Sequence, residues 1–254
     1  MTTLTRLVMT QAYDEYTKED FKVWYLLYDH QIAKLRDAAS QEYLEGLRRI
    51  HFRSDRIPNF HDTNVFLSEL TGWQIHVVAG LIPDDEFFRL MANRRFPAST
   101  WLRPLSKIEY LEEPDMFHDV FGHVPLLTQP AFVNYLQALS KIALRYIDDA
   151  HAIELISRIY WFTVEFGLIR ESGRVRIYGA GILSSPGETV FSLSDEATHV
   201  PYDVDTILQT PYRKDEFQKQ YFVIDSYEQL YQSTPQIESF LNRVGTQPTR
   251  DIEA

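Results

Sequence analysis

The chain has 254 residues, 44% of them hydrophobic, which is enough to bury one substantial core. Its formal net charge of −11 at pH 7 argues against a nucleic-acid partner, because such partners require a basic surface. It contains no cysteine, which excludes disulfides, thiolate catalysis and every metal site built on cysteine.

The first residues, MTTLTRLVMT, lack the apolar core of a signal peptide. No later run approaches the roughly 20 apolar residues that span a membrane. We therefore expect a cytoplasmic protein with no membrane partner and no nucleic-acid partner.

Helices dominate the elements predicted for the first half of the chain. They are predicted at 21–39, 42–50 and 60–70 and from Pro83 onward, with a strand or extended segment at 73–81. Thr17 to Asp20 resembles a capping box ahead of the first helix. Ser40 is a candidate N-cap for the second helix.

The second half continues the same pattern. Helices are predicted at 130–147, 153–169, 202–209 and 226–232, and strands at 175–179 and 220–224. No repeat, low-complexity tract or linker interrupts the chain. We therefore predict a single compact domain over 1–254, mainly α with a few short β-strands.

The segment EPDMFHDVFGHVP at 113–125 carries two histidines, His118 and His123, five residues apart. Imidazole binds several divalent metals, but in an α-helix residues five apart diverge by about 140°. Spacing alone therefore favours two histidines with structural roles. Gly122 and Pro125 allow an irregular backbone, so a metal pair requires that 118–123 is not a uniform α-helix.

Glu165 lies in the second motif, IYWFTVEFGLI. Apolar residues surround it on every side of the predicted helix, which indicates burial, and a buried carboxylate needs a salt bridge or a metal. With the two histidines it completes a set of two imidazoles and one carboxylate. That set serves both non-haem Fe(II) oxygenases and hydrolytic zinc, and ligand types alone do not separate them.

Three blocks, EPDMFHDVFGHVPLL, IYWFTVEFGL and YGAGILSSPGE, resemble in order and separation the signatures of the pterin-dependent aromatic amino acid hydroxylases. The resemblance runs from about Tyr16 to about Tyr231. The segment YDEYTKEDFKVWYLLYDHQ is most similar to the bacterial phenylalanine 4-hydroxylases.

The resemblance implies the fold of that family's catalytic domain. It also implies hydroxylation of L-phenylalanine to L-tyrosine with Fe(II), a tetrahydropterin and O₂. Tryptophan or tyrosine remains an alternative substrate for the same chemistry. A zinc hydrolase and a non-catalytic module with a structural metal remain alternatives from other classes. Phenylalanine breakdown and tyrosine supply both remain open as physiological roles.

Site residues follow from the matched positions. The implied iron ligands are His118, His123 and Glu165; the implied pterin contacts are Gly80, Leu81, Ile82, Phe87, Asp119 and Tyr160, the last two also as catalytic residues. The implied substrate contacts are Arg103, which pairs with the substrate carboxylate, Asp115, Phe117, Trp161 and Ser184. Two positions depart from the vertebrate pattern, with Asp119 in place of glutamate and Leu111 in place of threonine.

The chain also differs from the vertebrate members in its expected organisation. We expect no N-terminal regulatory domain and no C-terminal tetramerisation helix. The expected state is therefore a monomer.

Overall fold

The computed structural model describes residues 9–108, 113–214, 216–246 and 248. Its α-helices are α1 Lys18–Ala38, α2 Gln41–Arg49, α3 Phe60–Leu70, α4 Asp84–Ala92, α5 Pro130–Arg145, α6 Ala150–Tyr160, α7 Ala180–Leu183, α8 Pro186–Phe191, α9 Val204–Gln209, α10 Tyr227–Gln232 and α11 Thr234–Arg243. Short 3₁₀ turns occupy Tyr13–Glu15, Leu105–Lys107 and Val124–Thr128, and π-helical segments occupy Phe117–His123 and Trp161–Glu165. The predicted class, mainly α with a few short strands, is confirmed.

Six short strands form two small sheets: β1 Gln74–Val77, β2 Arg95–Ala98, β3 Leu168–Glu171, β4 Arg174–Ile177, β5 Thr198–Pro201 and β6 Gln220–Ile224. The parallel pair β1–β2 is connected through α4. The other sheet has the order β4-β3-β6-β5, in which only the β3–β4 hairpin is antiparallel. None of the helices in the described ranges is long and apolar enough to cross a bilayer.

The two helix caps predicted at the N-terminal end are confirmed. Thr17 accepts a hydrogen bond from the backbone of Asp20, and the Asp20 side chain accepts one from the backbone of Thr17. Ser40 caps α2 by accepting from the N–H of Tyr43. These caps satisfy backbone donors that the first helical turn leaves unpaired.

The helix predicted over 153–169 is wrong at its end, because the chain leaves the helix at Phe166 and enters β3. Gly167 explains this break. A Cβ atom at this position would lie 2.1 Å from the ring of Tyr178 and 2.3 Å from the carbonyl oxygen of Thr163. The close approach of Tyr178, the residue after β4, to this turn therefore requires glycine. Strands β2 and β5 and helices α7 and α8 were also not predicted, because they are too short to display a period. Helix α11, with ten residues, was not predicted either.

Gly46 fixes the contact between α2 and the 3₁₀ turn that follows His123. A Cβ atom on Gly46 would lie 2.1 Å from the carbonyl oxygen of Pro125, a backbone atom that cannot rotate away. In an open helix, alanine in place of glycine stabilises by roughly 0.5–1 kcal/mol. Here we expect Gly46→Ala to lower the free energy of unfolding by about 2–3 kcal/mol through overpacking, as measured by denaturant unfolding.

The exposed first residue of the same helix provides the control for Gly46→Ala. Gln41→Ala adds no atoms near Pro125 and should change stability by less than about 0.5 kcal/mol. Equal stability of both variants and the wild type would show that the contact between Gly46 and Pro125 is not as tight as in this structure.

Candidate metal centre and adjoining cavity

The side chains of His118, His123 and Glu165 converge, and their ligand atoms all lie within 4.8 Å of one another. The two imidazole Nε2 atoms are 3.3 Å apart. Glu165 places Oε1 3.3 Å from His123 Nε2 and Oε2 3.6 Å from His118 Nε2. Across the described ranges, no second group of three such side chains is arranged in this way. The structure thus brings together the three predicted metal ligands.

The π-helical segment Phe117–His123 explains the five-residue spacing of the histidines. A π-helix forms hydrogen bonds between residues i and i+5, so residues five apart lie on the same face. His118 and His123 therefore point in the same direction, with ring centroids 5.1 Å apart. The prediction that 118–123 departs from a uniform α-helix is confirmed.

Glu165 reaches the histidines from the second π-helical segment, Trp161–Glu165, which continues α6. Its side chain is 14% exposed, and it belongs to the lining of a cavity. Burial by itself raises the pKa of the Glu165 carboxyl, but His123 and His118 outweigh this effect and lower the pKa below its ordinary value. Glu165 is therefore ionised at neutral pH, the form in which a carboxylate binds a cation.

Ser184 fixes the orientation of the His118 ring. Its Oγ lies 2.9 Å from His118 Nδ1 and donates its single proton to the carbonyl oxygen of Ala180 at 2.8 Å. Ser184 can therefore only accept from the ring, so His118 carries its proton on Nδ1 and directs the Nε2 lone pair toward His123 and Glu165. Ser184 is absent from the cavity lining, and its predicted substrate contact remains a prediction.

Asp119 is held at the end of β2 rather than extended freely into the cavity. Its Oδ2 accepts hydrogen bonds from the backbone N–H of Ser99 at 2.8 Å and from the Ser99 hydroxyl at 2.9 Å. Burial raises the pKa of Asp119, and the neighbouring His118 and the Ser99 hydrogen bonds oppose this rise. The carboxyl thus lies beside the histidines with one oxygen already engaged.

A cavity of about 290 Å³ adjoins the three convergent side chains. Its lining includes all of the predicted pterin contacts: Gly80, Leu81, Ile82, Phe87, Asp119 and Tyr160. The ring of Phe87 stands edge-on to Tyr160, with centroids 5.5 Å apart. Leu81 is 79% exposed and no atom approaches Gly80 within 4 Å of a Cβ position. The 80–82 segment therefore forms an open rim through which a flat ligand can enter.

Trp161 forms a second wall of this cavity, together with residues that sequence reasoning missed. Its indole stacks on Tyr212 at 4.5 Å and packs at 4.6 Å against Phe166. Lys214 places its Nζ 5.9 Å from the indole centroid, and Tyr212 and Lys214 both line the cavity. The indole Nε1 donates to Gln218 at 3.1 Å. No motif or apolar period marked this 212–218 segment.

Arg103 and Asp115 form a buried pair behind the cavity. Asp115 is fully buried and accepts from Arg103 Nε at 2.8 Å and from Nη2 at 2.9 Å. Arg103 Nη1 has only a 3.4 Å contact with the carbonyl oxygen of Ile108, so two of the five guanidinium N–H groups have no partner among the described residues. Neither residue lines the cavity. A substrate carboxylate would have to reach these N–H groups beyond the described lining.

The structure places Phe117 in the core. Its ring is 1% exposed, stacks on Phe121 at 4.6 Å and meets the edge of Trp24 at 5.6 Å. The ring is absent from the cavity lining, and its predicted substrate contact remains a prediction. Leu111 lies outside the described residues.

The donor set suits a divalent transition metal. Two imidazoles and a carboxylate bind iron(II) or zinc and leave coordination positions open. Three ligand atoms within 4.8 Å of one another can share one cation. The residues present therefore fit a metal ion at this place.

Residues 9–246 match the family described as biopterin-dependent aromatic amino acid hydroxylase. A phenylalanine-4-hydroxylase of Ralstonia nicotianae is 47% identical over 243 residues, which are 95% of this chain and 77% of the relative. The matched span includes every side chain of the candidate centre.

Two solved structures of Chromobacterium violaceum phenylalanine hydroxylase share the fold. The one with bound oxidised Fe(III) has a TM-score of 0.89 at 45% identity and covers 97% of this chain and 91% of that chain. The one with iron(III) and the oxidised cofactor 7,8-dihydrobiopterin has a TM-score of 0.88 at 45% identity, with 97% and 90% covered.

Proposed function

Because the chain belongs to the biopterin-dependent aromatic amino acid hydroxylases, we propose that it converts L-phenylalanine to L-tyrosine with iron(II), a tetrahydropterin and O₂. The observation that carries this proposal is the convergence of His118, His123 and Glu165 beside an aromatic-walled cavity. This ligand set is that of non-haem Fe(II) oxygenases. The family match favours it over the zinc-hydrolase alternative.

The metal would be held by Nε2 of both histidines and by the Glu165 carboxylate. The chain prepares these atoms in advance, since Ser184 directs the Nε2 lone pair of His118 and the Glu165 carboxylate already lies within 3.6 Å of both imidazoles. Bound together, iron and the pterin supply the activation of O₂ for the aromatic ring. The protein's share of the reaction is to orient the reactants and exclude water.

The pterin would enter over the open rim at 80–82 and lie against Phe87, whose rigid ring suits a flat heterocycle. Backbone groups of Gly80, Leu81 and Ile82 would meet its polar edge. Asp119 and Tyr160 face the same space from the side of the histidines. Burial raises the pKa of Tyr160 well above its usual value, so its hydroxyl stays protonated and serves as a hydrogen-bond donor.

The substrate ring would lie against the indole of Trp161, beside Glu165 and His118. Its carboxylate would pair with the N–H groups of Arg103 that Asp115 leaves free, in the two-bond geometry that guanidinium favours. Asp115 holds the guanidinium in place for this contact.

The test is an aerobic incubation of the protein with Fe(II), a tetrahydropterin and phenylalanine, followed by chromatography for tyrosine. Tyrosine formation that requires all three additions supports the proposal. Parallel reactions with tryptophan and tyrosine rank the alternative substrates. Absence of every hydroxylated product, with iron shown to be bound, would refute the hydroxylase function, and turnover of an ester or amide with Zn(II) would favour a hydrolase.

Removal of the Ser184 hydroxyl is expected to weaken iron binding. Ser184→Ala frees His118 to rotate or change tautomer, and loss of such an outer partner costs roughly 10- to 100-fold in metal affinity. Titration of the metal-free protein with Fe(II) under anaerobic conditions measures the change. Ser184→Thr keeps a hydroxyl at this position and should retain most of the affinity; equal affinity of the alanine variant and the wild type would contradict the orienting role.

The proposal also includes a monomeric enzyme in the cytoplasm. The absence of cysteine suits a reducing compartment, although it does not require one. Sedimentation velocity at micromolar concentration tests the monomer, and a single species near 29.8 kDa is the expected result.

A further inference from the structure

Gln218 connects Trp161 in the cavity wall to the chain segment that carries Tyr212 and Lys214, which also line the cavity. It is 6% exposed, and its side-chain amide makes three hydrogen bonds. Nε2 donates to the carbonyl oxygens of Arg213 at 2.7 Å and of Glu216 at 3.3 Å, and Oε1 accepts from Trp161 Nε1 at 3.1 Å. Its three partners settle the amide orientation, because carbonyl oxygens only accept and an indole N–H only donates.

The backbone of Gln218 is anchored as firmly as its side chain. Its N–H donates to Glu188 Oε1 at 3.1 Å, and the same oxygen accepts from the hydroxyl of Tyr221. Glu188 is 4% exposed and lies in α8. The neighbouring Phe217 packs on Phe191 of α8 at 5.4 Å. Gln218 is therefore a fixed point that moves only if α8 moves.

Trp161 has few other directional contacts. Its stacking on Tyr212 and packing on Phe166 hold the indole between two rings, but stacked rings slide and tilt at low cost. The hydrogen bond from Nε1 to Gln218 is directional, and it holds one edge of the indole in place beside the cavity.

We propose that Gln218 is a positioning residue that acts through Trp161 and thereby sets the selectivity of the cavity among aromatic side chains. This inference rests on the proposed hydroxylase function. Without the bond, the indole relaxes between Tyr212 and Phe166 and the cavity accepts rings of other sizes. Gln218 touches neither the cavity nor its ligands, since it is absent from the lining.

The test uses Gln218→Met, which keeps the length of the side chain and removes its amide. We expect the preference for phenylalanine over tryptophan, measured as the ratio of kcat/KM values, to fall about five- to tenfold, the equivalent of one hydrogen bond. Gln209→Met makes the same exchange at an exposed glutamine of α9 and should leave the ratio unchanged.

A double-mutant cycle separates positioning from a purely structural role. Trp161→Phe removes the indole donor but leaves the bonds of Gln218 to Arg213 and Glu216. In that background, Gln218→Met should change the selectivity ratio less than twofold. The same five- to tenfold change in both backgrounds would overturn the proposal, because the effect would then not pass through Trp161.

A readout independent of activity is the indole N–H resonance of Trp161 in ¹⁵N-labelled protein. The chain has four tryptophans, and Trp161→Phe assigns the signal. Gln218→Met should shift this resonance upfield and leave those of Trp24 and Trp73 in place, which also shows that the variant is folded. An unshifted Trp161 signal overturns the proposal. Failure of the wild type to form tyrosine would instead overturn the proposed function, and the Trp161 resonance would still test the contact with Gln218.

Discussion

Glu165→Gln is expected to remove iron binding and hydroxylation together. The exchange keeps the shape of the side chain but replaces a charged ligand oxygen by a neutral amide. Glu165 lies within 3.6 Å of both histidines. The neighbouring carboxylate of Asp119 cannot take its place, because Ser99 holds it through two hydrogen bonds. The loss of affinity should exceed the roughly 10- to 100-fold expected for an outer partner, and kcat should fall at least as far.

The fold should survive Glu165→Gln, so the loss has a local cause. The amide oxygen and nitrogen both find partners on the two imidazoles and on the backbone N–H of Gly181. Thermal unfolding of the metal-free variant should therefore match that of the metal-free wild type. Elemental analysis and anaerobic Fe(II) titration measure the metal.

Glu154→Gln is the matched control for this exchange. Glu154 lies on α6, eleven residues earlier, where its side chain is 57% exposed and pairs with Arg158 on the surface. Its replacement should leave the iron content unchanged. Retention of iron by Glu165→Gln at the level of this control would remove Glu165 from the metal site.

The sequence predicted the members of the candidate centre better than it predicted their geometry. Burial of Glu165 followed from its apolar neighbours, and the structure agrees. The five-residue spacing of the histidines favoured structural roles over a metal site, because only the geometry of an α-helix was considered. A π-helical turn brings positions five apart onto one face, and the sequence signal for it was limited to Gly122 and Pro125.

Contacts that depend on distant segments could not be derived from the sequence. The bond between Ser184 and His118 spans 66 residues, and that between Gln218 and Trp161 spans 57. Neither pair has a spacing that a helix or strand would display. The resemblance to the family selected Ser184 for a substrate contact, which remains a prediction, and the structure adds its contact with the His118 ring. Gln218 had no signal of its own.

Asp115 is the most heavily engaged carboxylate near the candidate centre. It is fully buried and accepts from Arg103 Nε, Nη2 and backbone N–H, and from the backbone N–H of His118. One side chain therefore holds both the guanidinium behind the cavity and the start of the π-helical segment. The guanidinium of Arg103, whose side chain is only 10% exposed, forms an ion pair with this carboxylate.

Asp115→Asn is accordingly expected to lower the free energy of unfolding by about 3–5 kcal/mol, because it leaves the Arg103 charge buried without compensation. The new side-chain amide also directs its N–H groups toward the N–H donors that the carboxylate accepted from. For a chain of this length the melting temperature should fall by roughly 10 °C. Iron affinity should fall as well, since the backbone before His118 loses an anchor. Denaturant unfolding and Fe(II) titration measure the two effects.

Asp85→Asn is the control for Asp115→Asn, because Asp85 also pairs with an arginine, Arg89, but at the surface of α4 with 47% of its side chain exposed. Its loss should cost less than about 1 kcal/mol, because water screens the pair and solvates the arginine that remains. The contrast between the two variants isolates burial as the cause, since the ion pairs are of the same type. A cost for Asp115→Asn as small as that for Asp85→Asn would mean that Arg103 escapes to solvent when unpaired, and the guanidinium would then be too mobile to hold a substrate carboxylate.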